Sequence, residues 1–170
     1  KILNHAGYNV LLAGNIGLSF AAEISKKDYD FIVLEVSSFQ LDNIVDFRPS
    51  ISIILNITAD HLDRYNNNFS NYVYSKLQIT KNQTKKDFLI YNYDDNSLSA
   101  LKTNAKKIPI SLNYKSNGDS GLYTNNKMNI NLNNKTMTIE KLALKGTHNI
   151  FNSMAAAIAA RVFEVSDDII

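Results

Sequence analysis

Three stretches of the sequence gather groups that could handle a cation and oxyanions. Glu35 follows the apolar run Phe31-Ile32-Val33-Leu34, where a carboxylate is costly to bury without a partner. At a strand tip it either pairs with a Lys or Arg or offers its oxygens to a hard cation such as Mg²⁺. Asp60-His61-Leu62-Asp63-Arg64 packs four ionisable groups into five positions. It reads as a polar turn with Asp and Arg paired at the surface, or as a site where His61 binds a metal or a substrate oxygen. Lys76 sits mid-helix in Tyr72-Val73-Tyr74-Ser75-Lys76-Leu77, one position from the apolar face. Its stem either lies along the core with the head in water, or desolvation leaves a more nucleophilic amine. Such an amine, on capturing CO₂, becomes a carbamate, an anionic oxygen ligand suited to Mg²⁺.

Two further groups are polar without being charged. Asn15 stands between Gly14 and Ile16-Gly17, just after the apolar run Val10-Leu11-Leu12-Ala13. Thr147-His148-Asn149-Ile150-Phe151-Asn152 opens a helical pattern, with Asn149 and Asn152 on one face of its first turn. An amide-lined helix N-terminus can bind a polar ring or an anion, unless Thr147 or Asn149 simply caps it. His5 reads as incidental.

These residues need a frame. Apolar runs at 9–13, 29–36, 51–57, 87–91 and 107–112 predict strands, and 18–25, 69–83 and 95–104 have helical spacing. The alternation predicts an α/β fold, a mostly parallel sheet flanked by helices. The continuous run in 29–36 suits a strand covered on both faces. Ligands in such sheets bind beyond the carboxyl ends of the strands, where Asn15, Glu35, Ser37 and His61 fall. From 114 to 145 the texture changes: 122–124, 128–132 and 136–139 alternate apolar and polar, with Asn133-Asn134 as a tight turn. This predicts a small antiparallel β meander with one wet face. A helix over 148–164 follows. Residues 1–7 read as the last turn of a helix stopped by Gly7, and 165–170 as the turn into another. The chain is therefore expected to be an internal fragment: 1–113 parallel α/β, 114–145 meander, 146–170 helical return.

Composition narrows the function classes. The 170 residues are 45% hydrophobic, with 18 Lys+Arg against 16 Asp+Glu and a net charge of +2. That balance disfavours a dedicated nucleic-acid or membrane-surface protein. The absence of cysteine excludes a disulfide scaffold, a thiolate metal site and a cysteine nucleophile in this stretch. No apolar run approaches the ~18 residues that span a bilayer.

In order and spacing, four motifs resemble the central ATP-binding domain of the Mur ligases, the ATP-dependent amide ligases of peptidoglycan precursor synthesis. They are Gly14-Asn15-Ile16-Gly17, Leu34-Glu35-Val36-Ser37-Ser38-Phe39-Gln40-Leu41, Asn56-Ile57-Thr58-Ala59-Asp60-His61-Leu62-Asp63-Arg64-Tyr65, and Gly146-Thr147-His148-Asn149 with Asn152. Lys76-Leu77 matches the position of the family's carbamylated lysine. The resemblance covers essentially the whole chain and is strongest to the D-glutamate-adding members.

The resemblance implies a P-loop-like central domain and a reaction. ATP phosphorylates the carboxylate of UDP-N-acetylmuramoyl-L-alanine, and the amine of D-glutamate displaces phosphate from the acyl phosphate. It implies ATP and Mg²⁺ as cofactors. Glu35, His61 and Lys76 (as the carbamate, N6-carboxylysine) would serve metal and catalysis. Asn15, Ser37 and His61 would meet the muramoyl substrate. Asn15, His148, Asn149 and Asn152 would meet ATP, with Asp63 and Arg64 in support. The family's phosphate loop, G-x-x-x-x-G-K-[ST], is absent here and is expected just before Lys1. The N-terminal UDP-binding domain and the C-terminal domain are likewise expected elsewhere, so the fragment alone is expected to be inactive. Ala59 departs from the larger or charged residue frequent in the family. A cytoplasmic location, a monomeric full-length protein and no nucleic-acid or membrane partner complete the expectation. The competing readings are another Mur or folylpolyglutamate synthase-like ligase, and a non-catalytic nucleotide-binding module.

Overall fold

The strand-forming runs assemble into two sheets. In the computed structural model, which describes residues 1–16, 19–98, 101–142 and 145–170, β1 (Val10–Gly14) and β2 (Phe31–Glu35) pair in parallel, from Val10 opposite Phe31 to Gly14 opposite Glu35. A six-stranded sheet follows in chain order. It comprises β3 (Ile51–Ile54), β4 (Phe88–Asn92), β5 (Lys106–Ser111), β6 (Ser120–Thr124), β7 (Lys127–Leu132) and β8 (Lys135–Ile139). Strands β3 to β6 are parallel and β6 to β8 antiparallel. The predicted meander is thus continuous with the parallel strands. Its two reversals, Asn125-Asn126 and Asn133-Asn134, hold all four asparagines at positive φ, the backbone a two-residue type I′ hairpin requires.

Among the described residues five α-helices dress the sheets: α1 (Ile2–His5), α2 (Phe20–Ile24), α3 (Ser38–Leu41), α4 (Phe69–Leu77) and α5 (Thr147–Val162). Successive residues of a strand point to opposite faces, and β4 shows it. Ile90 joins Ile108, Ile110, Met128 and Ile130 in a core completed by Met154 and Ile158 of α5. Leu89 and Tyr91 join a second core with Ile54, Leu98, Tyr65 and Tyr72. β4 is therefore buried on both faces, while β7 and β8 bury one face and leave the other open to water.

Four expectations change. β2 is not covered on both faces: Ile32 and Val33, which point to opposite faces, remain 42% and 43% exposed. β3 stops at Ile54 rather than 57, and the Ile57 N–H donates instead to Asp95 Oδ2 at 2.8 Å. The helix expected over 69–83 ends at Leu77 and tightens into a 3₁₀ turn, Gln78–Thr80. There the Thr80 hydroxyl donates to the Leu77 carbonyl, and the Gln83 amide reaches across to the carbonyls of Pro49 and Phe88. In 95–104 the described residues form one 3₁₀ turn, Asn96–Leu98, opened by the Asp95 carboxylate, which accepts from the Ser97 N–H as an N-cap does. Positions 18, 99 and 100 of these expected helices lie outside the described residues. Among the described residues, no helix is long and apolar enough to cross a membrane.

One polar cluster stabilises the start of β4. Asp87 is buried and accepts from Arg48 Nε (2.8 Å), Arg48 Nη2 (3.1 Å), the Thr84 N–H (2.6 Å) and the Thr84 hydroxyl (2.9 Å). The Arg48 hydrogen bond, reinforced by Thr84, lowers its pKa from 3.8 to about 2 against the opposing effect of burial. A carboxylate with a depressed folded-state pKa stabilises above its unfolded value and loses that contribution as pH falls through the folded one. Asp87→Asn should cost about 1–3 kcal/mol at neutral pH. The gap from wild type should narrow between pH ~4 and ~2, as read from urea midpoints across that range.

Candidate functional site

The close approach of β1 to β2 builds the first part of the site. Gly14 has φ +118°, and a Cβ there would lie 2.2 Å from the Glu35 carbonyl oxygen. The next amide, Asn15 N–H, donates to that same oxygen at 2.8 Å. Only glycine permits this approach, and it sets Asn15 beside Glu35. Gly14→Ala should force the two strand ends apart and cost at least about 2 kcal/mol, measured as a drop in thermal midpoint. Gly17, the second glycine of this motif, lies outside the described residues.

Glu35 ends β2 with its side chain exposed. Among the described residues no Lys, Arg or His lies within ion-pair distance of it, so the pairing alternative is not realised. Two residues on, Ser37 turns the chain into α3, its N–H donating to Gln40 Oε1 at 2.8 Å. Phe39 of α3 carries the Arg64 guanidinium 4.7 Å from its ring centroid, a cation–π contact linking the second motif to the third. Arg64 makes no ion pair with Asp63 among the described residues.

The third motif is a 3₁₀ turn, Leu62–Tyr65, entered through His61 at φ 47°, ψ 37°. A left-handed non-glycine residue is uncommon and marks a backbone held by its surroundings. The His61 side chain is 72% exposed, with Nε2 3.6 Å from Asp60 Oδ2. Helix α4 is capped by Asn68, whose Oδ1 accepts from the N–H groups of Ser70 and Asn71; the charged cluster takes no part in that cap. Lys76 is half-buried, its Nζ 5.1 Å from the Tyr72 ring centroid. The Tyr72 ring meets Tyr65 edge-on at 5.4 Å.

Ser75 ties these pieces together. Its Oγ lies 3.1 Å from the Tyr65 hydroxyl and donates to the Ser38 carbonyl at 2.8 Å, with the Asp42 carboxylate also in contact. Segments carrying Asn15, Glu35, Ser37, Arg64 and Lys76 are therefore joined by direct contacts, with His61 at the entry to the Arg64 turn. The fourth motif is placed apart from them. His148 and Asn152 are exposed at the start of α5. The Asn149 amide turns back to the Lys145 carbonyl at 2.8 Å, so neither Thr147 nor Asn149 caps the helix; Gly146 occupies that position. No hydrogen bond, ion pair or ring contact among the described residues links this motif to the other three.

Sequence reasoning passed over Ser75, Asp42 and Asp95. Asp95 tethers the backbone of the third motif through Ile57 N–H, while its neighbour Asp94 accepts from the Ser111 hydroxyl and Leu112 N–H. The available signal was two adjacent acids, Asn92-Tyr93-Asp94-Asp95, directly beyond a strand. Among the described residues no three His, Asp or Glu side chains cluster so as to hold a metal. Of these side chains, the Glu35 carboxylate is the oxygen donor of the kind a hard cation takes, since Mg²⁺ on a nucleotide is usually held by one or two carboxylates with phosphate oxygens and water.

A family model described as the Mur ligase middle domain matches residues 6–160, and the chain belongs to the Mur ligase family. It is similar to UDP-N-acetylmuramoylalanine–D-glutamate ligase of Porphyromonas gingivalis, 40% identical over 172 aligned residues covering 97% of this chain and 38% of the relative. The enzyme of the same name from Bacteroides fragilis is 40% identical over 171, covering 98% and 38%. The chain thus spans 38% of the length of the curated relatives it matches. Among solved structures it superposes on MurF ligase from Thermotoga maritima in complex with ADP (TM-score 0.66, 15% identity, 99% of this chain and 43% of that one). It also superposes on UDP-N-acetylmuramoyl-L-alanyl-D-glutamate–2,6-diaminopimelate ligase (TM-score 0.69, 18% identity, 99% and 41%). At these identities the structures speak for the fold.

Proposed function

We propose that the chain is the central part of an ATP-dependent ligase that joins D-glutamate to UDP-N-acetylmuramoyl-L-alanine in cytoplasmic peptidoglycan precursor synthesis. The observation that carries this reading is the 40% identity, across 97% of the chain, to relatives named for that reaction. The converging strand ends support it. In the reaction the substrate carboxylate takes the γ-phosphoryl group of ATP, with cleavage of the bond between the β,γ-bridging oxygen and the γ-phosphorus. The D-glutamate amine then attacks the acyl carbon. A C–N bond forms, the acyl C–O bond to phosphate breaks, and the amine gives up a proton.

Positioning and charge stabilisation supply most of the catalysis in phosphoryl transfer. Asn15, Ser37 and His61 would orient the muramoyl substrate, with Asn15 also reaching ATP. His148, Asn149 and Asn152, at the uncapped start of α5, would hold the nucleotide. Glu35, His61 and Lys76, carbamylated to N6-carboxylysine, would hold Mg²⁺. When bound, the ion neutralises crowded phosphate and carboxylate oxygens. Asp63 and Arg64 would support this arrangement from the third motif.

The phosphate loop and the UDP- and D-glutamate-binding domains are assigned to the rest of a monomeric ligase. Exposed Ile32, Val33 and Ile53 are apolar strand residues of the kind a further packed element would cover. The test offers the full-length protein ATP and UDP-N-acetylmuramoyl-L-alanine with D-glutamate, L-alanine or meso-diaminopimelate, and follows phosphate release. Release with D-glutamate alone is expected, and none from the isolated chain. Release with another amine but not D-glutamate would reassign the substrate.

A further inference from the structure

Nothing local asks for a hydroxyl at Ser75. It lies inside α4 and is 2% exposed, and Ser is a poorer helix former than Ala. Its bonds run across the fold rather than back along the helix. Oγ meets the Tyr65 hydroxyl, the Ser38 carbonyl and the Asp42 carboxylate, groups 10, 37 and 33 residues away in sequence. Tyr65 closes the Asn56–Tyr65 motif. Ser38 lies inside the Leu34–Leu41 motif and Asp42 directly follows it. One buried oxygen therefore pins α4 to both segments at once.

The geometry points to Ser75, with Tyr65 and Asp42, as a positioning residue that sets where Lys76 lies relative to Glu35 and His61. Adjacent helical residues project about 100° apart around the axis. Fixing Ser75 against two neighbouring segments stops α4 from rolling or sliding, and so fixes the direction in which the Lys76 stem leaves the helix. The Tyr65–Tyr72 edge contact and the Lys76 stack on Tyr72 continue the same support. Unpinned, the helix retains its apolar packing but not its register.

This inference rests on the proposed role of Lys76, and the test separates the two. In the full-length ligase, Ser75→Ala and Tyr65→Phe each remove a hydroxyl and no apolar bulk. Ser75→Ala should lower kcat by about 10-fold or more while the KM for ATP changes less than about twofold. Without ATP or metal, amide hydrogen exchange in 37–42 and 61–66 should quicken, and that of β4 and β5 should not. Tyr65→Phe, which leaves the Ser75 hydroxyl proton to the Ser38 carbonyl or the Asp42 carboxylate, should quicken exchange in 61–66 alone. On a Lys76→Ala background, Ser75→Ala should cost nothing further, the non-additivity expected of a residue acting through another. Loss of rate that persists on that background, or wild-type kcat and exchange in Ser75→Ala, overturns the positioning role. Full activity in Lys76→Ala overturns the underlying reading of the site, whatever Ser75 does.

Discussion

Lys76→Arg is expected to abolish ligation by the full-length protein as thoroughly as Lys76→Ala, with kcat lower by roughly 10³-fold in both, the scale of losing one electrostatic stabiliser at a phosphoryl-transfer site. The comparison is informative because arginine preserves what the structure shows of Lys76. It is a long cation that stacks on aromatic faces at least as well as lysine, so the contact over Tyr72 survives. What it cannot do is add CO₂, since a guanidinium stays protonated. The Lys76 ammonium also has no carboxylate within ion-pair distance among the described residues. A protein prepared and assayed free of CO₂ should lose activity and regain it with added bicarbonate. If Lys76→Arg keeps activity within tenfold and bicarbonate has no effect, Lys76 works as a cation and the carbamate is wrong.

How far the site could be read in advance depended on whether a residue's role is local. The strand tips at Asn15 and Glu35 were legible because an apolar run ending in a polar residue states its own boundary, and Asn133-Asn134 because two left-handed residues make a specific turn. Ser75 was not, because its three partners lie 10 to 37 residues away and no periodicity reports on them. Asp95 was hidden as well. The window after β4 has helical spacing, but its described residues form one 3₁₀ turn, and the Asp95 carboxylate that opens it reaches across to the distant Ile57 amide. The exposure of β2 was illegible in principle, since an apolar run tells what a strand can bury and not which neighbours cover it. The family assignment was more secure than any single role, because motif order constrains the whole chain whereas each motif alone admits a structural explanation.

Glu35→Gln separates those two kinds of explanation. The backbone carbonyl of Glu35 holds Asn15, and the exposed side chain holds no cation within the described residues. Substituting the side chain should therefore leave the β1–β2 junction intact, with a thermal midpoint within about 2 °C of wild type, as for an exposed substitution away from caps and cores. Catalysis should behave differently. Removing the charge while keeping the shape should lower kcat roughly 10²- to 10³-fold and raise the Mg²⁺ concentration needed for half-maximal rate, because an amide oxygen is a weaker ligand for a hard cation than a carboxylate. Glu35→Asp, which keeps the charge on a shorter stem, should fall between wild type and Glu35→Gln. A structural carboxylate would give the reverse pattern, a lowered midpoint with activity retained at permissive temperature. The site reading therefore stands on a dissociation of rate from stability at one residue. A Glu35→Gln variant as active as wild type at limiting Mg²⁺ would remove Glu35 from the proposed metal site.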